Sequence, residues 1–279
     1  MSLFSAQGPR AAVVVPTRNS AKTVEACLSS LRAQTVPLTV VVVDNWSTDA
    51  TQRIARDLAS LMIVAGPERS RQRNVGARAV DAQILGFIDS DMTVPPTVVE
   101  EAVAAIDAGA GAVIVPEVTS GSGFWARVRA FERSFYGGTT VEAARFFRHD
   151  VFEACGGFDE SLNAAEDWDL TIRAQAFGPI ARIRSVILHH EGHVTYVAHC
   201  RKKGTYAAGL WRFVSLHGHL GLRTASDRLY LRAPWKLLWP HPILGAGVIA
   251  LKMGEAAAVL SALARTAING RTRRQMPSV

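Results

Sequence analysis

Four nearly unbroken aliphatic runs, AAVVV (Ala11 to Val15), LTVVVVD (Leu38 to Asp44), LMIVAG (Leu61 to Gly66) and ILGFID (Ile84 to Asp89), leave the first third of the chain few topologies. A strand with one wet face alternates apolar and polar residues, whereas a continuous Val/Ile run is buried on both faces, as in a parallel sheet covered by helices. The segments between the runs have helical spacing. SAKTVEACLSSLRAQ puts Val24, Leu28 and Leu31 on one face behind a candidate N-cap at Ser20. TDATQRIARDLAS and residues 70–81 continue the series, and PPTVVEEAVAAIDAG follows with prolines in its first turn. GAVIVPEV reads as a further strand. The expected class is α/β, a mostly parallel sheet with helices on both faces.

In such sheets ligands bind beyond the carboxyl ends of the strands. That rule gathers Pro16 to Asn19, Asp44, Asp89 and Asp91 on one rim. Two carboxylates bracketing one residue, in the stretch FIDSDMT, form an ordinary solvated turn when isolated. Near a pocket they repel, and a divalent cation relieves the repulsion. An oxygen-rich site of this kind suits Mn²⁺ or Mg²⁺ shared with substrate phosphates.

Three further groups carry chemistry. NAAEDWDL places Glu166, Asp167 and Asp169 ahead of a helix, either as dipole partners or as a base with an orienting neighbour. ERSRQRNVGAR crowds Arg69, Arg71 and Arg73 at a helix start, a candidate diphosphate site, with Arg78 on a solvated face. LHHEGH lacks the H-E-x-x-H spacing of a zinc protease, but one of its histidines, with His193 the candidate, can complete the coordination of a metal on Asp91. No serine or cysteine nucleophile with a histidine partner stands out, so carboxylate base chemistry is expected.

The charge is divided along the chain. Residues 1–195 carry 18 Lys+Arg against 22 Asp+Glu, and residues 196–279 carry 13 against 2. The expected organisation is therefore a catalytic domain over 1–195 and a basic, amphipathic helical tail over 196–279. In the tail Arg201, Lys202, Lys203, Arg212, Arg223, Arg228, Arg232 and Lys236 interleave with Tyr206, Trp211, Phe213, Tyr230, Trp235 and Trp239. This pattern, followed by the apolar PILGAGVIALKMGEAAAVLSALA, suits a membrane interface better than nucleic acid. Lys252 and Glu255 in the middle of the apolar segment argue against a clean transmembrane helix, and packing on the chain itself or on a second subunit is the alternative. Three scattered cysteines and a short, polar N-terminus point to the cytoplasm.

With these motifs in hand, the chain from Ala11 to His193 resembles the family 2 glycosyltransferases of the GT-A fold, of the membrane-associated, non-processive type. The resemblance rests on VVVPTRNS, VVVVDNWSTDAT, RNVGAR, FIDSDM, RFFRHDVFEACGGFDE and EDWD, six motifs in family order. It implies that Pro16, Thr17, Asn19 and Asp44 cradle the base and ribose, with Arg73 and Asn74 nearby. It further implies that Asp89 reaches the ribose or the metal shell, that Asp91 binds the metal, that Asp167 is the general base and that Glu166 shapes the sugar or acceptor pocket. The implied reaction is inverting transfer of one sugar from a nucleoside-diphosphate sugar, UDP favoured over GDP, to a hydroxyl or phosphate acceptor, lipid-linked ones included. The Q-x-x-R-W signature of processive synthases is absent after EDWD, which favours single transfer. Two other readings remain: a sugar-nucleotide nucleotidyltransferase, disfavoured because PTRNSAKT lacks a glycine-rich loop, and a non-catalytic membrane adaptor.

Overall fold

The structure is a computed structural model that describes residues 9–227, 238–239 and 241–274. Arg228, Tyr230, Arg232, Trp235 and Lys236 of the tail, and the extreme N-terminus, lie outside the described residues. The chain divides into two compact units. Met1–Thr119, Glu142–Ser161 and Glu166–His190 form one; Ser120–Val141, Leu162–Ala165 and Glu191–Val279 form the other.

The first unit is built on β1 (Ala11–Thr17), β2 (Leu38–Asp44), β3 (Leu61–Val64) and β4 (Ile84–Phe87), with α1 (Val24–Arg32), α2 (Thr51–Leu58) and α3 (Arg69–Arg78) between them. After the short β5 (Met92–Thr93) come α4 (Val98–Asp107), β6 (Ala112–Ile114) and β7 (Glu117–Ser122). β8 (Ala144–Arg148), α6 (His149–Ala154), α7 (Glu166–Ala174), β9 (Ile180–Arg182) and β10 (Ile187–His193) follow α5 (Phe124–Arg133), which belongs to the other unit.

The main sheet has the order β3-β2-β1-β4-β8-β6-β9. β1 lies parallel to β2, with Ala11 opposite Leu38 and Thr17 opposite Asp44, and parallel to β4 on its other side. β8 runs antiparallel to both β4 and β6. This one reversed strand departs from the all-parallel pattern of the first four. A second sheet, β5-β10-β7, contains the histidine-rich segment as a regular strand.

Every residue of β1 is buried, and the twofold strand period splits them between two cores. Ala11, Val13 and Val15 pack with Val24, Leu28 and Leu31 of α1 and with Val98, Val99 and Ala102 of α4. Ala12 and Val14 face the opposite core with Val151 and Phe152 of α6 and Leu170 of α7. Phe87, Phe152 and Phe158 stack within that second core, with ring centroids 5.2 and 4.9 Å from Phe87. Full burial of each such side chain contributes roughly 1.5–3 kcal/mol. α1 starts at Val24 with Thr23 at its N-cap, later than expected, because the backbone N–H groups of Thr23 and Val24 close a turn on the Ser20 carbonyl.

α3 comes close to the sheet at Gly76. A Cβ there would overlap Val14 Cγ1 and stand 3.0 Å from Val43 Cγ2, side chains locked inside the sheet. Gly76→Ala is therefore expected to destabilise the protein by about 1–3 kcal/mol. Urea unfolding measures this, and an unchanged midpoint would show that the helix has room to shift.

The second unit is helical. α8 (Tyr196–Thr205), α9 (Ala207–Ser226) and α10 (Pro242–Arg274) join α5, and α9 bends at Gly218, whose φ is 53°. Its small apolar core comprises Val128, Cys200, Val248 and Leu251.

Candidate active site

α3 buries a polar face, which is costly unless every group finds a partner. Three consecutive residues, stepping about 100° around the helix, meet three different targets. Gln72 Nε2 caps the ends of β1 and β2, donating to the carbonyls of Thr17 at 2.9 Å and Val43 at 2.6 Å. Asn74 Nδ2 donates to the Phe158 carbonyl at 2.9 Å and to Glu160, while its Oδ1 accepts from the Phe158 N–H. Arg73 lies between them, 0% exposed, with its guanidinium 5.1 Å from the centre of the Phe158 ring.

Arg73 gathers the acidic motifs. Its Nη2 donates to Asp89 Oδ1 at 2.7 Å; its Nη1 donates to Asp167 Oδ1 at 2.9 Å and Glu166 Oε1 at 3.2 Å. Glu166 also meets Arg69 Nη2 at 3.2 Å. A second buried guanidinium, Arg145 on β8, donates to Glu117 Oε1 from Nε at 2.9 Å and from Nη2 at 2.5 Å. Its Nη1 sits 3.5 Å from Asp89 Oδ2 and 3.6 Å from Asp167 Oδ2 without a hydrogen bond. Thr171 ties the helix bearing Asp167 to this strand, donating to the Asp167 carbonyl at 2.7 Å and accepting from the Ala144 N–H at 2.9 Å.

The carboxylates are therefore inequivalent. Burial would raise the pKa of Asp89, but Arg73, then Arg145 and Arg69, hold it far below the usual carboxylate range. Burial and then the charge of Asp167 push Glu166 the other way, against the pull of Arg69 and Arg73. Asp167 is the most open of the three, with 24% of its side chain exposed. Ala165, directly ahead of α7, has a φ of 62°, a left-handed backbone for a non-glycine residue where the acidic pair enters the helix.

Asp91 stands apart from this hub with 43% of its side chain exposed, and His189 Nε2 lies 3.3 Å from its Oδ2. His189 also faces Glu117, Nδ1 to Oε2 3.7 Å, and Glu117 in turn accepts from Arg145. The strand register accounts for His189. It pairs with Met92, next to Asp91, whereas His193 is four residues further, ~13 Å along a strand. His193 instead lies against Ser122, 3.4 Å from Oγ to Nδ1, so the imidazole beside the aspartate is His189 rather than the expected His193. Among the described residues no group of three or more His, Cys, Asp or Glu is arranged around a metal position. Asp91 supplies an exposed carboxylate, and His189 places an imidazole nitrogen beside it. That donor pair fits a divalent cation whose remaining positions are taken by phosphate oxygens and water. Asp89 fits that role less well, because both of its oxygens face guanidinium groups.

The nucleotide-side residues are placed as follows. Pro16 and Thr17 are buried at the end of β1. Asp44 is fully buried and satisfied, accepting from Thr17 Oγ1 at 2.9 Å, Ser47 Oγ at 2.5 Å, Ser47 N at 2.8 Å and Gln52 Nε2 at 2.9 Å. Its carboxylate shapes the loop after β2, and has no oxygen without a protein partner. Asn19, with a φ of 49°, accepts from the Thr48 N–H at 2.9 Å and donates its own N–H to Ser47. Trp46 on the same loop has a φ of 47° and an indole 61% exposed. Asn74 holds the 158–160 loop, and Arg73 is enclosed by Asp89, Glu166 and Asp167. Arg145, Glu117, His189 and Gln72 were not singled out by sequence reasoning. Arg145 did carry a signal, a charge inside the buried strand ARFFR.

The chain is similar to known proteins in the part that builds this geometry. Residues 12–162, just over half of the chain, match Glycosyl transferase family 2. The succinoglycan biosynthesis protein ExoA of Rhizobium meliloti is 30% identical over 186 residues, which covers 58% of this chain and 56% of that protein. Glycosyltransferase AglE of Haloferax volcanii is 30% identical over 191 residues, 61% and 62% of the two chains. The matched region thus spans little more than half the length of these relatives. Among solved structures, a mannosyltransferase from Pyrobaculum calidifontis in complex with GDP-Man and Mn²⁺ superposes with a TM-score of 0.57 at 23% identity, covering 94% of this chain and 76% of that one. S. aureus TarS in complex with UDP-GlcNAc gives 0.51 at 22% identity, covering 72% and 66%. These likenesses establish the GT-A fold. The family match takes in the strand ends, the Arg73 helix, Asp89 with Asp91, and Arg145, and on it the chain belongs to glycosyl transferase family 2.

Proposed function

We propose that the protein transfers a single sugar from a nucleoside-diphosphate sugar to a hydroxyl or phosphate acceptor, with inversion at the anomeric carbon. The observation that carries this reading is the division of labour among the carboxylates: Asp89 and Glu166 are locked on buried arginines, while Asp91 and Asp167 keep open faces. Asp167 takes the acceptor proton as the acceptor oxygen bonds to the anomeric carbon and the bond to the diphosphate breaks. Arg73, shared with Glu166, holds Asp167 in place. Asp91 and His189 would hold a divalent cation, Mn²⁺ or Mg²⁺, which when bound neutralises charge on the departing nucleoside diphosphate. The fold neighbours in complex with UDP-GlcNAc and GDP-Man support a nucleotide-sugar donor and do not choose the base. Free thiols at Cys27, Cys155 and Cys200 are compatible with a cytoplasmic setting.

Calorimetric titration of UDP and GDP, with Mn²⁺ and with chelator, tests this reading. One nucleotide is expected to bind in a metal-dependent way, with at least about tenfold weaker binding in Asp91→Ala, the loss of one charged ligand contact. Binding of neither nucleotide would overturn the donor class and favour the non-catalytic adaptor.

A further inference from the structure

α10 turns its two charges inward and leaves several of its apolar side chains exposed. Pro242 to Ala264 of α10 has a mean hydropathy of 1.7, and its only charges are Lys252 and Glu255. Lys252 Nζ reaches Glu132 Oε1 on α5 at 2.5 Å and Glu255 Oε2 at 2.8 Å; Glu255 Oε1 meets His199 Nε2 on α8 at 2.8 Å. Glu132 is fully buried and also accepts from Arg129 Nη1 at 2.6 Å. Burial would raise Glu255, but His199, Lys252 and Lys203 hold it down at about 2, and burial with Arg129 nearby pushes Lys203 down to about 8. The charges that argued against a clean transmembrane helix in the sequence are paired inside the protein.

The opposite side of α10 is apolar and uncovered. At 100° per residue Val248 and Leu251, both fully buried, share the side of Glu255, while Ile249, Met253 and Leu260 fall on the far side. Met253 is 69% and Leu260 67% exposed. A helix apolar all round belongs in a protein core or in lipid. On α9 the indole of Trp211 and the side chain of Leu222 are exposed as well. The exposed charge of α8 and α9 has one sign: Arg201, Lys202, Arg212 and Arg223 are exposed, and no Asp or Glu occurs from Tyr196 to Ser226.

We propose that the outer faces of α9 and α10 rest on an anionic bilayer, lying in the interface rather than crossing it. Met253 and Leu260 enter the acyl boundary, Trp211 sits at headgroup depth, and the exposed Arg and Lys side chains meet lipid phosphates. Crossing would carry the Lys252–Glu132 and Glu255–His199 pairs into hydrocarbon together with their partner helices. A second copy of the chain could cover an apolar face, but a one-signed basic rim repels its own copy and attracts anionic lipid. The proposal stands independently of sugar transfer.

The test is co-sedimentation of the full chain with vesicles of phosphatidylcholine alone and of phosphatidylcholine mixed with phosphatidylglycerol. Binding is expected to the mixed vesicles, to weaken as salt rises, and to fall on the order of tenfold or more in Met253→Asp/Leu260→Asp. Both positions point outward, so the thermal midpoint by circular dichroism should stay unchanged and exclude unfolding as the cause. Arg201→Glu/Lys202→Glu should remove much of the salt-sensitive part. Failure to sediment, equal binding to neutral vesicles, or undiminished binding by the Asp variant overturns the proposal. So does a dimer in sedimentation velocity that the Asp variant dissolves, which would assign the face to a second copy. Nucleotide binding measured on the same variants separates failure here from failure of the transferase reading.

Discussion

Asp167→Asn is expected to lower kcat by on the order of 10²-fold or more, the usual scale for general acid–base catalysis, with donor affinity nearly unchanged. The amide keeps the shape of the carboxylate and an oxygen for Arg73 Nη1, which donates to Asp167 at 2.9 Å, so the hub stays assembled while the proton acceptor is lost. Steady-state rates with donor and acceptor, alongside calorimetric donor binding, provide the check. Near-normal turnover would remove Asp167 from the proton path. Glu166 is poorly placed to replace it, because burial and its two arginines enclose it.

Arg73→Met should have the largest effect on stability, about 3–5 kcal/mol, the scale for stripping the partner from a buried ion pair. Three carboxylates, on the β4–β5 turn and at the start of α7, would face one another with only Arg145 and Arg69 remaining. Arg73→Lys should rescue little, since an ammonium lacks the planar fork that reaches Asp89 on one side and the acidic pair on the other. Urea unfolding measures the cost, and a wild-type midpoint for either variant would show that Arg73 is not the hub. The pH dependence of the unmutated protein has two parts. Asp89 is depressed, so its contribution is full above its unfolded value of 3.8 and is lost as the pH falls below it. Glu166 is raised, so its contribution is present below 4.5 and fades as the pH rises through its folded value.

Much of the architecture was legible from local pattern. The runs around Val13, Val41 and Leu85 became central strands because a residue string apolar at every position has only one kind of place to go in a sheet covered on both sides. The face of α1 followed from its spacing. Boundaries were less legible: the backbone turn on Ser20 delays α1, and pairing with Met92 and Thr93 makes a strand of the histidine segment. At the site, the acidic motifs were visible, but their roles were not. Asp44 reads as a ligand group, and its carboxylate accepts from Thr17, Ser47 and Gln52 at the end of β2. Arg73 reads as a diphosphate group, and its guanidinium is the counter-ion of three acids.

By itself, then, the sequence determined the sheet, the rim where ligands gather and the family motifs along it, since these depend on residue type and on periods of 2 and 3.6. Tertiary structure alone decided which charges are spent and which are open. Arg145 reaches the acidic cluster and His189 reaches Asp91 from strands far along the chain, and Lys252 and Glu255 find Glu132 and His199 as partners on other helices. Coulomb energy and desolvation depend on distances and burial that no linear spacing encodes.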